Sequence, residues 1–167
     1  MVEKDLVIKE KVESSGLLDF KGFYSYAHSW FKDEGFGVTE EKYSEKFSGN
    51  SKDIDIEWRA IKELSEYFKV EIFSKWEIKD LVDVEVEIDG KTKKMNKGKI
   101  LLEIKGSVIR DPESKWDASP LLRFSRDFYN KYIIPNRVND IKEKVILDIK
   151  KLKEELKAFL DLTGKRE

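Results

Sequence analysis

The stretch IDIEWRAIKELSEYFKVEIFSKWEIKDLVDVEVEIDG, residues 54–90, alternates apolar and polar residues over most of its length. Side chains of a strand point alternately to the two faces of its sheet, so this pattern predicts strands with one face on a core and the other in water. One strand of this length would exceed an ordinary domain, so we expect turns near residues 64–66 and near Asp80. The apolar positions with even numbers are Ile54, Ile56, Trp58, Ala60, Leu64, Phe68, Val70, Ile72, Trp76, Ile78, Val82, Val84, Val86 and Ile88.

Residues 57–68 are the part of this run whose structure the sequence leaves open. Alternation predicts a strand followed by a turn. Trp58, Ile61, Leu64 and Phe68, however, also have the spacing of one face of a helix. Both interpretations stand for this segment.

The Asp89-Gly90 pair lies between two alternating runs and predicts a tight hairpin turn. Such a two-residue turn needs positive φ at both positions, which aspartate tolerates and glycine favours. A returning strand is expected after it. Its apolar residues are Ile100, Leu102, Ile104 and Val108.

Two strands and a helix are predicted upstream. Residues 5–12 alternate like a strand, and residues 20–31 have the three-and-four spacing of a helix that ends at Gly35 and Gly37. The apolar face of this helix consists of Phe20, Phe23, Tyr24, Ala27, Trp30 and Phe31. A further strand is marked by Val38, Tyr43 and Phe47.

A long helix is predicted near the C-terminal end. Ser119-Pro120 is typical of an N-cap and first helical position, and Gly164 of a helix end. Pro135 is expected to kink or break the helix, because proline lacks an N–H and clashes with the preceding turn. Before it lie the apolar residues Leu121, Phe124, Phe128 and Tyr132, and after it lie Ile141, Val145, Ile149, Leu152, Leu156 and Phe159.

This order of elements predicts an α+β fold in a single domain, residues 1–167. A curved antiparallel sheet of about five to six strands packs on a long C-terminal helix, with an N-terminal helix after the first strand. The order resembles the helix-grip domains of the START and polyketide-cyclase type, and this resemblance implies an apolar ligand cavity between sheet and helix. Separately, WFKDEGF (30–36), MNKG (95–98) and KYIIPNR (131–137) are similar to segments of uncharacterised archaeal proteins, which implies no activity.

Composition predicts a folded cytoplasmic protein without a membrane span. Apolar residues make up 40% of the chain and aromatic residues 12%, enough for a core beneath the 40% of charged residues. No apolar run approaches the ~18 residues of a membrane span, and the N-terminal stretch lacks the apolar segment of a signal peptide. Lysine is far more frequent than arginine (27 against 6) and glutamine is absent, as in proteins of thermophiles or of A/T-rich genomes.

The sequence offers little for catalysis or for cofactor and metal binding. Cysteine is absent, which excludes disulfides and thiolate chemistry, and neither phosphate-loop nor EF-hand spacing occurs. His28 is the only histidine and is predicted to be structural or exposed. An enzyme would need acid and base from Asp111, Glu113 and Asp117, although Asp111-Pro112 is more typical of a turn.

The aromatic residues favour a non-enzymatic binding module. An aromatic stripe usually belongs to the core, but Trp58, Phe68, Trp76 and Tyr132 could instead line a pocket between sheet and C-terminal helix for an apolar small molecule or a protein partner. Tyr67 and Phe73 interrupt the polar side of the sheet, as a partner patch or as a contact with another helix. A homodimer through the C-terminal apolar stripe is a further alternative.

The alternative function is a nucleic-acid- or ribosome-associated factor that uses the lysine-rich hairpin 89–99. Clustered lysines bind the phosphates of RNA, DNA or anionic lipid, and they also protect exposed strands from pairing with other sheets. The lysines of this hairpin are Lys91, Lys93, Lys94, Lys97 and Lys99.

Overall fold

The structure is a computed structural model that describes residues 3–110, 120–121, 124 and 134–164. Its strands form one five-stranded antiparallel sheet in the order β1-β5-β4-β3-β2, curved and not closed, with β1 and β2 at the edges. The elements are β1 (Glu3–Leu18), α1 (Phe20–Asp33), β2 (Gly37–Ser48), β3 (Ser51–Glu63), β4 (Phe68–Ile88), β5 (Lys91–Arg110) and α2 (Ile134–Gly164). The predicted α+β fold is confirmed.

Both helices lie on the same face of the sheet, which we call the helix face; no described element covers the opposite face, the open face. α1 begins after Asp19, whose carboxylate accepts a hydrogen bond from the Gly22 N–H (3.0 Å). α2 lies close to the sheet at Gly106, where a Cβ atom would lie 2.2 Å from Ile149 Cδ1. The residues of α2 buried in the core are Val138, Val145, Ile149, Leu152, Leu156 and Leu160. The predicted apolar stripe after Pro135 therefore packs mainly on the chain's own sheet.

Pro135 lies in the first turn of α2. A proline is tolerated there because the first N–H groups of a helix have no acceptor within the helix. Of the apolar face predicted before it, Leu121 and Phe124 are exposed, whereas Phe128 and Tyr132 lie outside the described residues, as does Ser119.

The segment 57–68 is a strand followed by a turn, so its helical interpretation is wrong. β3 continues to Glu63, and the chain then reverses over residues 64–67. The Ser65 hydroxyl accepts hydrogen bonds from the N–H groups of Tyr67 and Phe68, both at 3.2 Å. The tight turn at Asp89 and Gly90 is confirmed, with φ of 50° and 77°.

The turn expected near Asp80 is wrong, because β4 continues through this residue with a β-bulge. Lys79 pairs with Lys99 and Val82 with Lys97, so Asp80 and Leu81 together lie opposite Gly98. Asp80 has φ of 54°, and its N–H donates to Asp53 Oδ1 (3.0 Å). The extra residue lets one long strand bend where the sequence suggested a reversal.

The bulge changes which face of the sheet the even-numbered residues occupy. On β5 the even positions, such as Ile100, lie on the helix face, so the odd positions Lys97 and Lys99 lie on the open face. Since Val82 is paired with Lys97, it also lies on the open face, whereas Ile78 before the bulge lies in the core. The prediction of one common face therefore holds for the even-numbered strand positions before Asp80, but not for Leu64, which is exposed in the 64–67 turn. It also fails for the positions after the bulge, Val82, Val84, Val86 and Ile88.

Candidate ligand cleft and basic arm

A cleft of about 440 Å³ lies between α2 and the helix face, near the 64–67 turn. α2 contacts β1 and β5, and α1 packs on tryptophans of β3 and β4, so this part of the sheet lies between the two helices. The volume is within the range of small-molecule sites. The apolar lining consists of Phe36, Leu64, Val70, Ile72, Ile141 and Val145.

Charged side chains surround this apolar surface. Lys62 Nζ lies 5.7 Å from the centre of the Phe36 ring, and the Arg137 guanidinium lies 5.7 Å from that of Phe68. Within the described part of the chain, neither cation has a carboxylate within ion-pair distance. The remaining charged lining is Asp140 together with Lys144 and Asp148, which form an ion pair at 3.5 Å. The cleft thus has an apolar interior and two cations available to a ligand.

Three of the residues predicted to bind a ligand lie in the core. Trp58 and Trp76 are 1% exposed, with ring centres 4.8 Å apart, and neither lines the cleft. Phe68 is also fully buried, but it contacts the cleft residue Arg137. Tyr132 lies outside the described residues. A ligand role for these aromatics stays a prediction.

The two tryptophans belong to a polar and aromatic cluster that joins α1 to the sheet. The Trp58 indole N–H donates to Glu40 Oε2 (2.8 Å), and the Tyr24 hydroxyl donates to the same oxygen (2.5 Å). Burial, with the hydrogen bond to Glu40, raises the pKa of Tyr24 to about 12. The buried indole nitrogen of Trp76 has no acceptor among the described residues. His28 is exposed, with its ring 5.7 Å from that of Trp58, as the sequence predicted.

The five lysines of the hairpin are all exposed, but they do not share one face. Lys91, Lys93 and Lys97 are paired with Ile88, Val86 and Val82 and so lie on the open face. Lys99 lies on the same face, beside Lys79 at the bulge. Lys94 is paired with Glu85 on the opposite face. Strand pairing, which the sequence spacing does not show, therefore separates Lys94 from the other four.

A buried carboxylate on the open face was missed by the sequence analysis. Glu71 is 3% exposed and forms ion pairs with Lys4 (2.5 Å) and Arg59, which also pairs with Glu41. Arg59 in turn lies 5.2 Å from the centre of the Phe73 ring. In the sequence, Glu71 is one of many glutamates at odd positions, and nothing distinguishes it from the exposed ones.

Tyr67 is buried against Phe68, with ring centres 5.0 Å apart, whereas Phe73 is on the open face. The catalytic candidates Asp111, Glu113 and Asp117 lie outside the described residues. Within the described ranges, no three histidine or acidic side chains form a group able to hold a metal ion. Neither described helix is long and apolar enough to cross a membrane.

No family model matches this chain, and no curated protein matches it.

Proposed function

We propose that the protein is a non-enzymatic binding module that holds an amphipathic small molecule in the cleft between the sheet and α2. The observation that carries this proposal is the combination of an apolar interior with two cations that lack a carboxylate partner in the described structure. Such a site suits a ligand with an apolar body and an anionic group. The body would lie on Val70 and Ile72, and the anionic group would lie near Lys62 and Arg137.

The aromatic rings beside the two cations support this orientation. A cation over an aromatic face is attracted to the ring, but it keeps donors for a further partner. A carboxylate, sulfonate or phosphate could accept these hydrogen bonds in a partly desolvated position, where charge-assisted bonds are stronger than neutral ones. Asp140 carries the opposite charge and would oppose a ligand bound close to it.

The proposal is tested with anilinonaphthalene sulfonate, a fluorescent probe with an apolar body and one anionic group. We expect wild-type protein to increase its fluorescence and Ile141→Trp to abolish the increase, because the larger side chain fills the cleft. Leu147→Trp is the matched control, since Leu147 is 67% exposed on the same helix. If the Ile141→Trp protein bound the probe as well as wild type, the cleft would not be the site.

The charged part of the proposal is tested with the double variant Lys62→Ala/Arg137→Ala. We expect its affinity for the anionic probe to fall roughly tenfold, because it loses a charge-assisted interaction. Binding of uncharged phenylnaphthylamine should not change. An equal loss for both probes would mean that the cations only support the shape of the cleft.

The alternative prediction, a nucleic-acid- or ribosome-associated factor, depends on the lysine hairpin. A protein partner and a homodimer likewise stay predictions. The lysines are distributed over the two faces of the hairpin, and the other residues of these faces differ. A binding role can therefore be tested for one face separately from the other.

A further inference from the structure

The β4–β5 hairpin extends beyond the rest of the sheet as an arm, residues 82–97. Pairing of β3 with β4 ends at Lys52 and Leu81, and pairing of β1 with β5 ends at Leu18 and Asn96. Beyond these points the arm is a two-stranded ribbon, to which no other strand of the described residues is paired.

The two faces of the arm differ in charge and in hydrophobicity. The open face carries Val82, Val84, Val86, Ile88, Lys91, Lys93, Met95 and Lys97. The other face carries Asp83, Glu85, Glu87, Thr92, Lys94 and Asn96. Every acidic residue of the two paired strands of the arm is thus on one face, with Asp89 in the turn between them, and every aliphatic residue is on the other face together with three of the arm's four lysines.

Two apolar residues of the open face are buried at the base of the arm. Met95 is paired with Val84 and is 3% exposed, and Leu17 is paired with Lys97 and is 6% exposed. Neither residue belongs to the main core. The open face therefore has its own buried apolar base, from which Val86 and Ile88 continue toward the tip.

We propose that the open face of the arm binds the surface of an anionic lipid bilayer. Aliphatic side chains can enter the boundary between headgroups and acyl chains while neighbouring lysines contact anionic headgroups. The arm's open face has no acidic residue to oppose this contact. It also has no aromatic residue and no arginine, the side chains that stack on or read nucleic-acid bases. A second copy of the same face would be repelled by like charge.

The experiment is co-sedimentation of the full chain with vesicles of phosphatidylcholine alone and with phosphatidylglycerol as a third of the lipid. We expect binding only to the anionic vesicles, decreasing as salt is raised. The variant Lys91→Glu/Lys93→Glu/Lys97→Glu should lose this binding. The charge-matched control Lys150→Glu/Lys151→Glu/Lys157→Glu, in exposed positions of α2, should retain most of it.

A second variant separates the aliphatic contribution from charge. Val86→Ser/Ile88→Ser keeps every lysine, and we expect it to bind anionic vesicles several-fold less tightly. Thermal unfolding followed by circular dichroism checks that each variant is folded. The proposal is overturned if folded wild-type protein does not bind anionic vesicles, or if the arm and control triple variants bind them equally well. It is also overturned if wild-type protein binds homopolymeric RNA in preference to vesicles.

The arm shares β4 with the cleft, but it begins at Val82, beyond the bulge, whereas the cleft contacts Val70 and Ile72 near the other end of that strand, and the two have no lining residue in common. Probe binding in the cleft and vesicle binding by the arm therefore succeed or fail independently.

Discussion

Glu40 shows how one exposed carboxylate can hold a buried and a partly buried aromatic residue in place. It accepts hydrogen bonds from Tyr24 of α1 and Trp58 of β3, while it is itself part of the edge strand β2. Three elements therefore meet at one side chain. Because the burial of Tyr24 and its bond to Glu40 both oppose ionisation of the phenol, the pKa of Tyr24 is raised to about 12.

This shift predicts how stability depends on alkaline pH. The phenol stays neutral in the fold up to about pH 12 but ionises near 10.0 in the unfolded chain. Its contribution to stability is therefore complete below pH 10 and is lost as pH rises from 10 to about 12. Absorbance of tyrosinate during a pH titration, with the curve of Tyr24→Phe subtracted, measures the pKa directly.

The subtraction is needed because the pKa of Tyr43 is also raised to about 12, chiefly by burial and then by its bond to Glu45. In Glu40→Gln we expect the pKa of Tyr24 to fall but to stay above its ordinary value, since burial is the larger cause. A Tyr24 that titrates at its ordinary value in wild type would contradict the structure of this cluster.

The β-bulge is the element that gives β4 two different apolar faces. Gly98 lies opposite it, and a Cβ there would be 3.0 Å from both Leu81 Cα and Lys79 O. These are backbone atoms, which cannot move aside as a side-chain end can.

We therefore predict that Gly98→Ala destabilises the protein by about 2 kcal/mol, because the added methyl group forces the bulge apart. Urea unfolding gives the free energy. Lys99→Ala, at the next position of the same strand and exposed, should change it by less than about 0.5 kcal/mol. Equal effects of the two substitutions would mean that the bulge can relax without cost.

The same bulge shows where the sequence stops predicting the fold. Asp89-Gly90 and the 64–67 turn were predictable, the first from residues that favour positive φ and the second from the limit on strand length. At Asp80 nothing in the composition separates a turn from a bulge, because aspartate accepts positive φ in both. The alternation continues in the sequence through Val82, so it gives no sign that the faces have changed.

The cleft was predictable only in part. The apolar face of α2 follows from its three-and-four spacing, and a cavity between sheet and helix was implied by the resemblance of the element order to helix-grip domains. The lateral position of α2 over β1 and β5 depends on close approach at Gly106, which spacing does not reveal. The cleft consequently lies at Val70 and Ile72, while Trp58 and Trp76, the largest of the fully buried side chains described, fill the core beneath α1.

At the scale of the whole molecule, a network of ion pairs on the open face connects four of the five strands. Lys4 of β1, Glu71 of β4, Arg59 of β3 and Glu41 of β2 form a continuous set of ion pairs that includes both edge strands. Glu71 at its centre has a side chain only 4% exposed, so its charge depends on Lys4 and Arg59 for compensation.

Glu71→Ala should lower the free energy of unfolding by about 2 kcal/mol, because both cations lose the carboxylate that they share. Glu77→Ala is the matched control: Glu77 is on the same strand and face, forms no ion pair within the described residues, and should have little effect. Chemical denaturation measures both. If Glu77→Ala were as damaging as Glu71→Ala, the set of ion pairs would add nothing beyond an ordinary strand position.

The pairing of β1 with β5 also constrains the order in which the chain can fold. Asp5 and Arg110, hydrogen-bonded at 3.2 Å, are 105 residues apart in sequence, whereas β2 to β5 are joined by short turns between neighbours. During synthesis β1 emerges long before β5, the strand with which it pairs, so the four-stranded meander of β2 to β5 can form before β1 docks. Because pairing between strands far apart in sequence is slow, we expect the docking of β1 on β5 to be the rate-limiting step of folding.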